Sequence, residues 1–106
     1  MGQDLKEHIG ILQGPDRDSL FRTVEEHYNP LVTRLATMPK PVLACVHGAV
    51  AGGGLSVMLA CDLAIASRDA QFSLAYANIG TSPDGGSSFT LPRIVGLRKA
   101  LELAFL

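Results

Sequence analysis

The sequence predicts an α/β fold, and three consecutive segments carry that prediction. The continuous apolar run VLACV, residues 42–46, is typical of a strand buried on both faces of a sheet. A glycine-rich turn over residues 48–54 leads into GGLSVMLAC, an apolar segment long enough for about two helical turns. The segment DLAIAS then alternates as a second strand. A strand, a helix and another strand in succession predict a parallel crossover connection.

The residues before this unit predict a helix over about 18–38. Its apolar residues recur at spacings of three, four or seven, which gives one buried stripe: Val24, Tyr28, Leu31, Leu35 and Met38. Pro30 either kinks this helix or starts a second one with Asn29 as its N-cap, and both options stay open. The prolines of MPKP then end the helix and favour an extended chain.

The residues after the unit predict further alternation of extended and helical segments. QFSLA is a second extended piece, TSPDGGSSFTLPRIVG is a loop that leads into a short helix, and LRKALELAFL keeps a helical period to the end. We interpret residues 1–106 as one unit that is cut at both ends. No strand-forming residues precede the GQD turn, and the last helix stops without a cap.

Composition argues against several classes of partner. The chain has 106 residues, 47% of them hydrophobic, and a net charge of −1. Its charges are scattered singly, so we expect neither a nucleic acid nor an anionic membrane as partner. No apolar run approaches the roughly 18 residues of a membrane span and no signal peptide begins the chain, so we expect the cytoplasm. Cys45 and Cys61 lack metal-site spacing and are interpreted as buried reduced thiols.

The glycine triplet predicts either a binding turn or tight packing. Glycines between a strand and a helix permit positive φ and expose the N–H groups of the first helical turn, which favour negative charge. Close packing of the strand against the helix explains the glycines equally well. The triplet does not continue as a dinucleotide fingerprint, and the chain has neither a P-loop nor a nucleophile elbow. The remaining use is an oxyanion hole, in which backbone donors stabilise a carbonyl oxygen.

Nearly the whole chain resembles the crotonase superfamily, the enoyl-CoA hydratase/isomerase group. The resemblance is carried by MPKPVLACVHGAVAGGGLSVMLACDLAIASRDAQF, by NIGTSPDGGSSFTLPRIVGLRKALELAFL and by the earlier GQDLKEH. It implies a partial crotonase-like (ββα) spiral fold of the α/β class. It also implies an acyl-CoA thioester as substrate, coenzyme A as part of that substrate with no other cofactor or metal, and a homotrimer or hexamer.

The same resemblance implies an oxyanion hole and a coenzyme A site. Gly53 supplies one backbone donor and Met1 the other, although family members have an alanine after a strand where this chain has Met1. Lys6 is placed against the coenzyme A phosphates, with a solvated surface lysine as the alternative. The remaining residues assigned to substrate binding are Gly2, Gln3, Asp4, Leu5, Gly52 and Tyr76.

The residues at the catalytic places favour isomerisation over ordinary hydration. Hydratases of the family use two glutamates, and this chain has Ser56 and Tyr76 instead. Ser56 is interpreted as helix packing, and Tyr76 as lining the acyl pocket or filling the core. Asp84 in SPDGG resembles the acid of some isomerases and dehalogenases, and its alternative is an Asp-Gly turn or a cap for the helix at Ser87. A dehalogenase also needs a histidine where this chain has Asn29.

The sequence therefore predicts an acyl-CoA isomerase or hydratase-like protein. Asp84 abstracts and returns a proton, and the backbone donor at Gly53 stabilises the thioester enolate. The segments flanking Pro30 and Asp84 look most like isomerases of ring-opened or epoxidised phenylacetyl-CoA. The alternative is a truncated, non-catalytic crotonase-like fragment or interaction remnant. His47 is predicted to hydrogen-bond the glycine turn, and Asp62 to be structural.

Overall fold

The computed structural model describes residues 4–15, 19 and 22–106. Its first helix, α1 (Leu5–Gln13), is capped by Asp4, whose carboxylate oxygen Oδ1 accepts from the amides of Lys6 at 2.9 Å and Glu7 at 3.4 Å. Side-chain oxygens at this position satisfy N–H groups that have no partner within the helix. The predictions that fall on Met1, Gly2, Gln3 and residue 18 lie outside the described residues.

The predicted second helix is present, but its hydrogen-bond pattern changes partway along. Val24–Tyr28 form a π-helical turn, and α2 (Asn29–Thr37) follows without interruption. Asn29 has helical φ and ψ of −61° and −47°, and its amide donates to the carbonyl of Val24. The interpretation of Asn29 as the N-cap of a new helix is therefore wrong. Pro30, which has no N–H to donate, lies in the first turn of α2.

Two parallel strand pairs follow, and they confirm the predicted crossover. β1 (Leu43–Val46) pairs in parallel with β3 (Leu63–Ala66), in the register Leu43 to Leu63. β2 (Ala49–Ala51) pairs in parallel with β4 (Gln71–Ser73). Helix α3 (Gly53–Leu59) connects the first strand of each pair to the second. The predicted turn over 48–54 was thus too long, because it contains β2.

The prediction that the first strand is buried on both faces is wrong. Leu43 is 48% exposed and Leu63, its partner in β3, is 64% exposed. Each sheet has only two strands among the described residues, so neighbouring layers cover little of its surface. For the same reason Cys45 is exposed rather than buried, while Cys61, after α3, is partly buried.

The core lies instead around the helices of the second half. A 3-10 turn (Ala77–Ile79), α4 (Ser87–Val95) and α5 (Leu97–Phe105) complete the element order. The buried apolar residues come from α3, from the segment after β4 and from α4 and α5: Leu55, Leu59, Leu74, Tyr76, Leu91 and Ala100. None of the helices in the part of the chain that the structure describes has the length and apolar character needed to cross a membrane.

Asp62, directly before β3, is hydrogen-bonded to Val42, directly before β1. Its carboxylate oxygen Oδ2 accepts from the amide of Val42 at 2.7 Å. The amides of Asp62 and Leu63 in turn donate to the carbonyl of Val42, at 3.1 and 3.2 Å. The predicted structural role of Asp62 is confirmed, and it sets the register in which β3 begins beside β1.

Candidate active site

The turn between β2 and α3 depends on one glycine. Gly52 has φ +52° and ψ −125°, a backbone conformation that residues other than glycine rarely adopt. Its amide donates to the carbonyl of Ser73 at 3.2 Å, and its carbonyl accepts from the amides of Leu55 and Ser56 at 2.9 and 3.1 Å. The glycine therefore ties the turn to the end of β4 while it begins the helix.

Gly53 presents an open backbone donor at the start of α3. Within the described residues its amide N–H has no hydrogen-bond partner, as is usual in the first turn of a helix. A β-carbon at Gly53 would lie 3.1 Å from Cε1 and 3.6 Å from the hydroxyl oxygen of Tyr28. The missing side chain thus allows an aromatic ring to lie directly against the backbone.

Three side chains form a hydrogen-bonded network one turn further along α3. The Tyr76 hydroxyl donates to Oδ1 of Asp84 at 2.6 Å, and it lies 3.0 Å from Oγ of Ser56. A hydroxyl has a single proton and Tyr76 gives its own to the carboxylate, so Ser56 is the donor in the second contact. Ser56 is fully buried, and its oxygen also lies 3.1 Å from the carbonyl of Asp84.

The network keeps Tyr76 protonated. Burial, and then its hydrogen bond to Asp84, raise the pKa of Tyr76 to about 12. A charged phenolate beside a carboxylate would be repelled, and it would also lose solvation. Tyr76 therefore remains a neutral donor to Asp84 at neutral pH. The preceding residue, Ala75, has φ +62°, which is uncommon for a residue with a side chain.

Asp84 is presented by a tight turn at the beginning of α4. The Ser87 amide and hydroxyl both donate to the carbonyl of Asp84, at 3.0 and 2.8 Å. Gly85 and Gly86, which lie between Asp84 and Ser87 in the chain, have φ of +53° and +74° respectively. Gly86 is the N-cap of α4 and no side chain caps that helix. The Asp-Gly turn is thus present, but the alternative that the Asp84 side chain caps α4 is wrong.

Comparison with protein families decides the assignment of the chain. The sequence profile of the family described as enoyl-CoA hydratase/isomerase matches residues 1–106. The chain belongs to the enoyl-CoA hydratase/isomerase family.

The relatives of this family member carry out more than one reaction. The chain is 45% identical over 105 residues to 1,2-epoxyphenylacetyl-CoA isomerase of Escherichia coli K12, covering 99% of the chain and 40% of that protein. It is 44% identical over 103 residues to 4-chlorobenzoyl coenzyme A dehalogenase-1 of an Arthrobacter species, covering 95% of the chain and 36% of the dehalogenase. The chain thus spans about 40% of the length of the curated relatives it matches.

Solved structures confirm the α/β, partial crotonase-like fold. A protein from Mycobacterium abscessus described as an enoyl-CoA hydratase/isomerase superposes with a TM-score of 0.89 at 38% identity. The match covers 97% of the chain and 39% of that structure. The fold predicted from the glycine-flanked strand, helix and strand is therefore the fold observed.

The structure brings together four of the predicted site residues of this family member around α3, and the other predicted residues belong to the start of the chain. Gly52 and Gly53 lie at the start of α3, and Tyr76 and Asp84 lie beside its next turn. Asp4 uses its carboxylate to cap α1, Leu5 begins that helix, and Lys6 is exposed on it. Met1, Gly2 and Gln3 belong to the part of the chain that is not described.

One other prediction concerns His47, directly before the glycine-rich turn. The His47 side chain is exposed and makes no hydrogen bond among the residues that the structure describes, so its predicted bond to the glycine turn is absent. Across the same residues, no three His, Cys, Asp or Glu side chains come close enough together to hold a metal ion.

Tyr28 is the site residue that the sequence did not reveal. The helical spacing assigned it to an apolar stripe, whereas the structure places its ring against Gly53. Burial, and then the charge of Asp84, raise the pKa of Tyr28. The phenol is therefore close enough to Asp84 to sense its charge. A tyrosine in an otherwise aliphatic stripe, directly before Asn29-Pro30, is the signal that could have drawn attention to it.

Proposed function

We propose that this chain contributes the proton-transfer centre of an acyl-CoA isomerase, with Asp84 as the acid/base and the Gly53 amide as an oxyanion donor. The observation that carries the proposal is the bond from Tyr76 to Asp84. Serine and tyrosine stand where hydratases of the family have glutamates. The Tyr76 hydroxyl donates to the Asp84 carboxylate, and the Ser56 hydroxyl contacts both the Tyr76 hydroxyl and the backbone carbonyl of Asp84. The site is thus built around one carboxylate.

The hydrogen bonds also distinguish the two oxygens of that carboxylate. Oδ1 accepts from Tyr76 at 2.6 Å, so Oδ2 is the oxygen available to the substrate. Asp84 is only partly buried, which leaves room for a ligand to approach. A carboxylate held by one neutral donor keeps a second acceptor site for a proton.

In the proposed reaction, Oδ2 of Asp84 takes the proton from the carbon next to the thioester. The electron pair of the broken C–H bond moves to the thioester oxygen and forms an enolate, whose charge the Gly53 amide stabilises. Asp84 then returns the proton to a carbon further along the acyl chain, and the double bond shifts. The net reaction moves one proton and one double bond, and it consumes no other reactant.

The remaining parts of the proposal come from family resemblance. Met1 is the second oxyanion donor, and Gly2, Gln3, Asp4, Leu5 and Lys6 hold the adenine and phosphates of coenzyme A. Gly52 and Tyr76 contact the acyl group. Coenzyme A arrives as part of the substrate, and no further cofactor or metal takes part. The cytoplasm as location and a homotrimer or hexamer as assembly belong to the same proposal.

The test follows interconversion of 2-enoyl and 3-enoyl thioesters of coenzyme A by the whole chain. We expect Asp84→Asn to lower the rate by about 100-fold or more, since general acid–base groups contribute about that factor. Asp69→Asn is the matched control, because Asp69 is an exposed carboxylate outside the site. Equal rates for wild type and Asp84→Asn would refute the role of Asp84. Binding of butyryl-CoA without turnover would favour a non-catalytic acyl-CoA-binding fragment.

A further inference from the structure

The hydroxyl of Tyr28 lies within reach of any oxygen held at Gly53. It is 3.6 Å from the position that a Gly53 β-carbon would take, and such a carbon lies about 2.5 Å from its own amide nitrogen by standard bond geometry. The hydroxyl and the amide nitrogen are therefore at most about 6 Å apart. One oxygen atom that accepts from two donors at about 2.9 Å each joins donors up to about 5.8 Å apart, which covers nearly all of that range.

The phenol is also available as a donor. Among the residues that the structure describes, the Tyr28 hydroxyl has no hydrogen-bond partner. Burial and the nearby Asp84 charge raise the pKa of Tyr28, so it stays protonated under neutral conditions. Asp84 does not take this proton either, since the hydrogen bond that its carboxylate accepts within the described residues comes from Tyr76.

The local backbone directs this side chain to the site. Tyr28 is the last residue of the π-helical turn Val24–Tyr28, and π-helical turns inside helices occur frequently at functional sites. Four residues after the turn ends, Val32 lies near Gly85 and Gly86, at 3.7 and 3.9 Å from the β-carbons those glycines lack. The helix thus packs on the same turn that presents Asp84.

We propose that Tyr28 is a further catalytic residue, whose hydroxyl donates a hydrogen bond to the thioester oxygen held at the Gly53 amide. The inference rests on the proposed function, because it assigns Tyr28 to the same enolate. A neutral side-chain donor would then stabilise developing charge beside the backbone donor, without depending on the residues at the start of the chain. Tyr28 would strengthen the binding of ligands whose thioester oxygen gains negative charge, and it would contribute little to the binding of other acyl-CoA molecules.

The experiment compares two probes on the whole chain and its Tyr28→Phe variant. Acetoacetyl-CoA has an acidic carbon between two carbonyl groups, and its bound enolate is measured by near-ultraviolet absorbance. Butyryl-CoA forms no comparable enolate and reports ground-state binding by calorimetry. We expect Tyr28→Phe to lower the equilibrium constant for bound enolate by roughly 10- to 100-fold, as for the loss of a donor to a charged acceptor. Its Kd for butyryl-CoA should change less than about threefold, because that oxygen stays neutral.

His27→Gln is the matched control, since His27 is the exposed neighbour of Tyr28 in the same π-helical turn. It should leave both measurements unchanged. An enolate equilibrium that is the same in Tyr28→Phe and wild type overturns the role of Tyr28, whether or not Asp84→Asn lowers isomerisation. Equal loss of both probes overturns it as well, because Tyr28 would then only shape the pocket. A wild-type chain that binds neither probe overturns the proposed function together with this inference.

Discussion

Replacing Gly85 by alanine should destabilise the chain far more than the same change at its neighbour Gly86. At Gly85 the new β-carbon would lie 2.7 Å from Cβ and 3.4 Å from Oγ of Ser56. Ser56 is fully buried, so its side chain cannot swing into solvent. At Gly86 the nearest atom to the new carbon is Cγ1 of Val32 at 3.9 Å, which is ordinary contact.

The two glycines allow the cost to be divided into two parts. Both have positive φ, +53° and +74°, and each alanine costs about 1–2 kcal/mol for adopting it. Only Gly85→Ala adds the collision with Ser56, and overpacking in a buried site costs about 1–3 kcal/mol more. The free energy of unfolding should therefore fall by about 2–5 kcal/mol for Gly85→Ala and by about 1–2 kcal/mol for Gly86→Ala.

Urea unfolding of wild type and both variants measures this difference. With a slope of about 1–3 kcal/mol per molar urea for small proteins, the midpoints of the two variants should differ by an amount of order 1 M. The slope itself should not change, because the folded chain stays equally compact. Equal midpoints for the two variants would refute the reasoning. Ser56 would then move aside at no cost, and the turn that presents Asp84 would not be held against α3.

Two further predictions concern Tyr76 and Asp62. Tyr76→Phe removes the donor to Asp84, and it should lower both isomerisation and the free energy of unfolding, the latter by about 1.5–3 kcal/mol. The pKa of Tyr76 rises from 10.0 to about 12 on folding, so the folded chain keeps this proton at a higher pH than the unfolded chain does. The stabilisation that this proton gives is complete below pH 10 and should be lost between pH 10 and 12. Stability measured across that range should decline less steeply in Tyr76→Phe, and an identical decline would contradict the raised pKa. Asp62→Ala should lower the free energy of unfolding, measured in urea, by about 1–2 kcal/mol, and it should speed hydrogen exchange at the Val42 amide. Unchanged exchange would mean that the 2.7 Å hydrogen bond from the Val42 amide to Asp62 does not protect this strand.

The elements that the sequence predicted correctly are those with a strong local pattern. The apolar run before Gly48 and the helix after Gly52 are continuous in the sequence, and both are present close to their expected bounds. β2 was missed because three residues in a glycine-rich stretch carry no strand pattern of their own. They become a strand only by pairing with β4, about twenty residues away. Helix α1 was missed although Asp4, followed three residues later by Glu7, is a recognisable start signal.

The sequence drew attention to Asp84 and Tyr76 but not to the contact between them. Asp84 and Tyr76 were singled out separately, one as an acid and the other as a lining residue. Their hydrogen bond depends on the positive φ of Ala75 and on the glycine turn, neither of which a periodic pattern reveals. Tyr28 is 25 residues from Gly53 in the sequence. Only the packing of its helix on the turn before α4 brings the ring to that backbone.

The closeness of the Gly85 turn to Ser56 limits how this site can diverge. A glutamate at position 56, as hydratases of the family have, would project into space that the Asp84–Gly85 backbone already occupies. The turn would have to move outward before that larger residue fitted, and Asp84 would lose its contacts with Ser56 and Tyr76 as it moved. In this packing, a glutamate side chain at position 56 and the present Asp84–Gly85 backbone would compete for one volume.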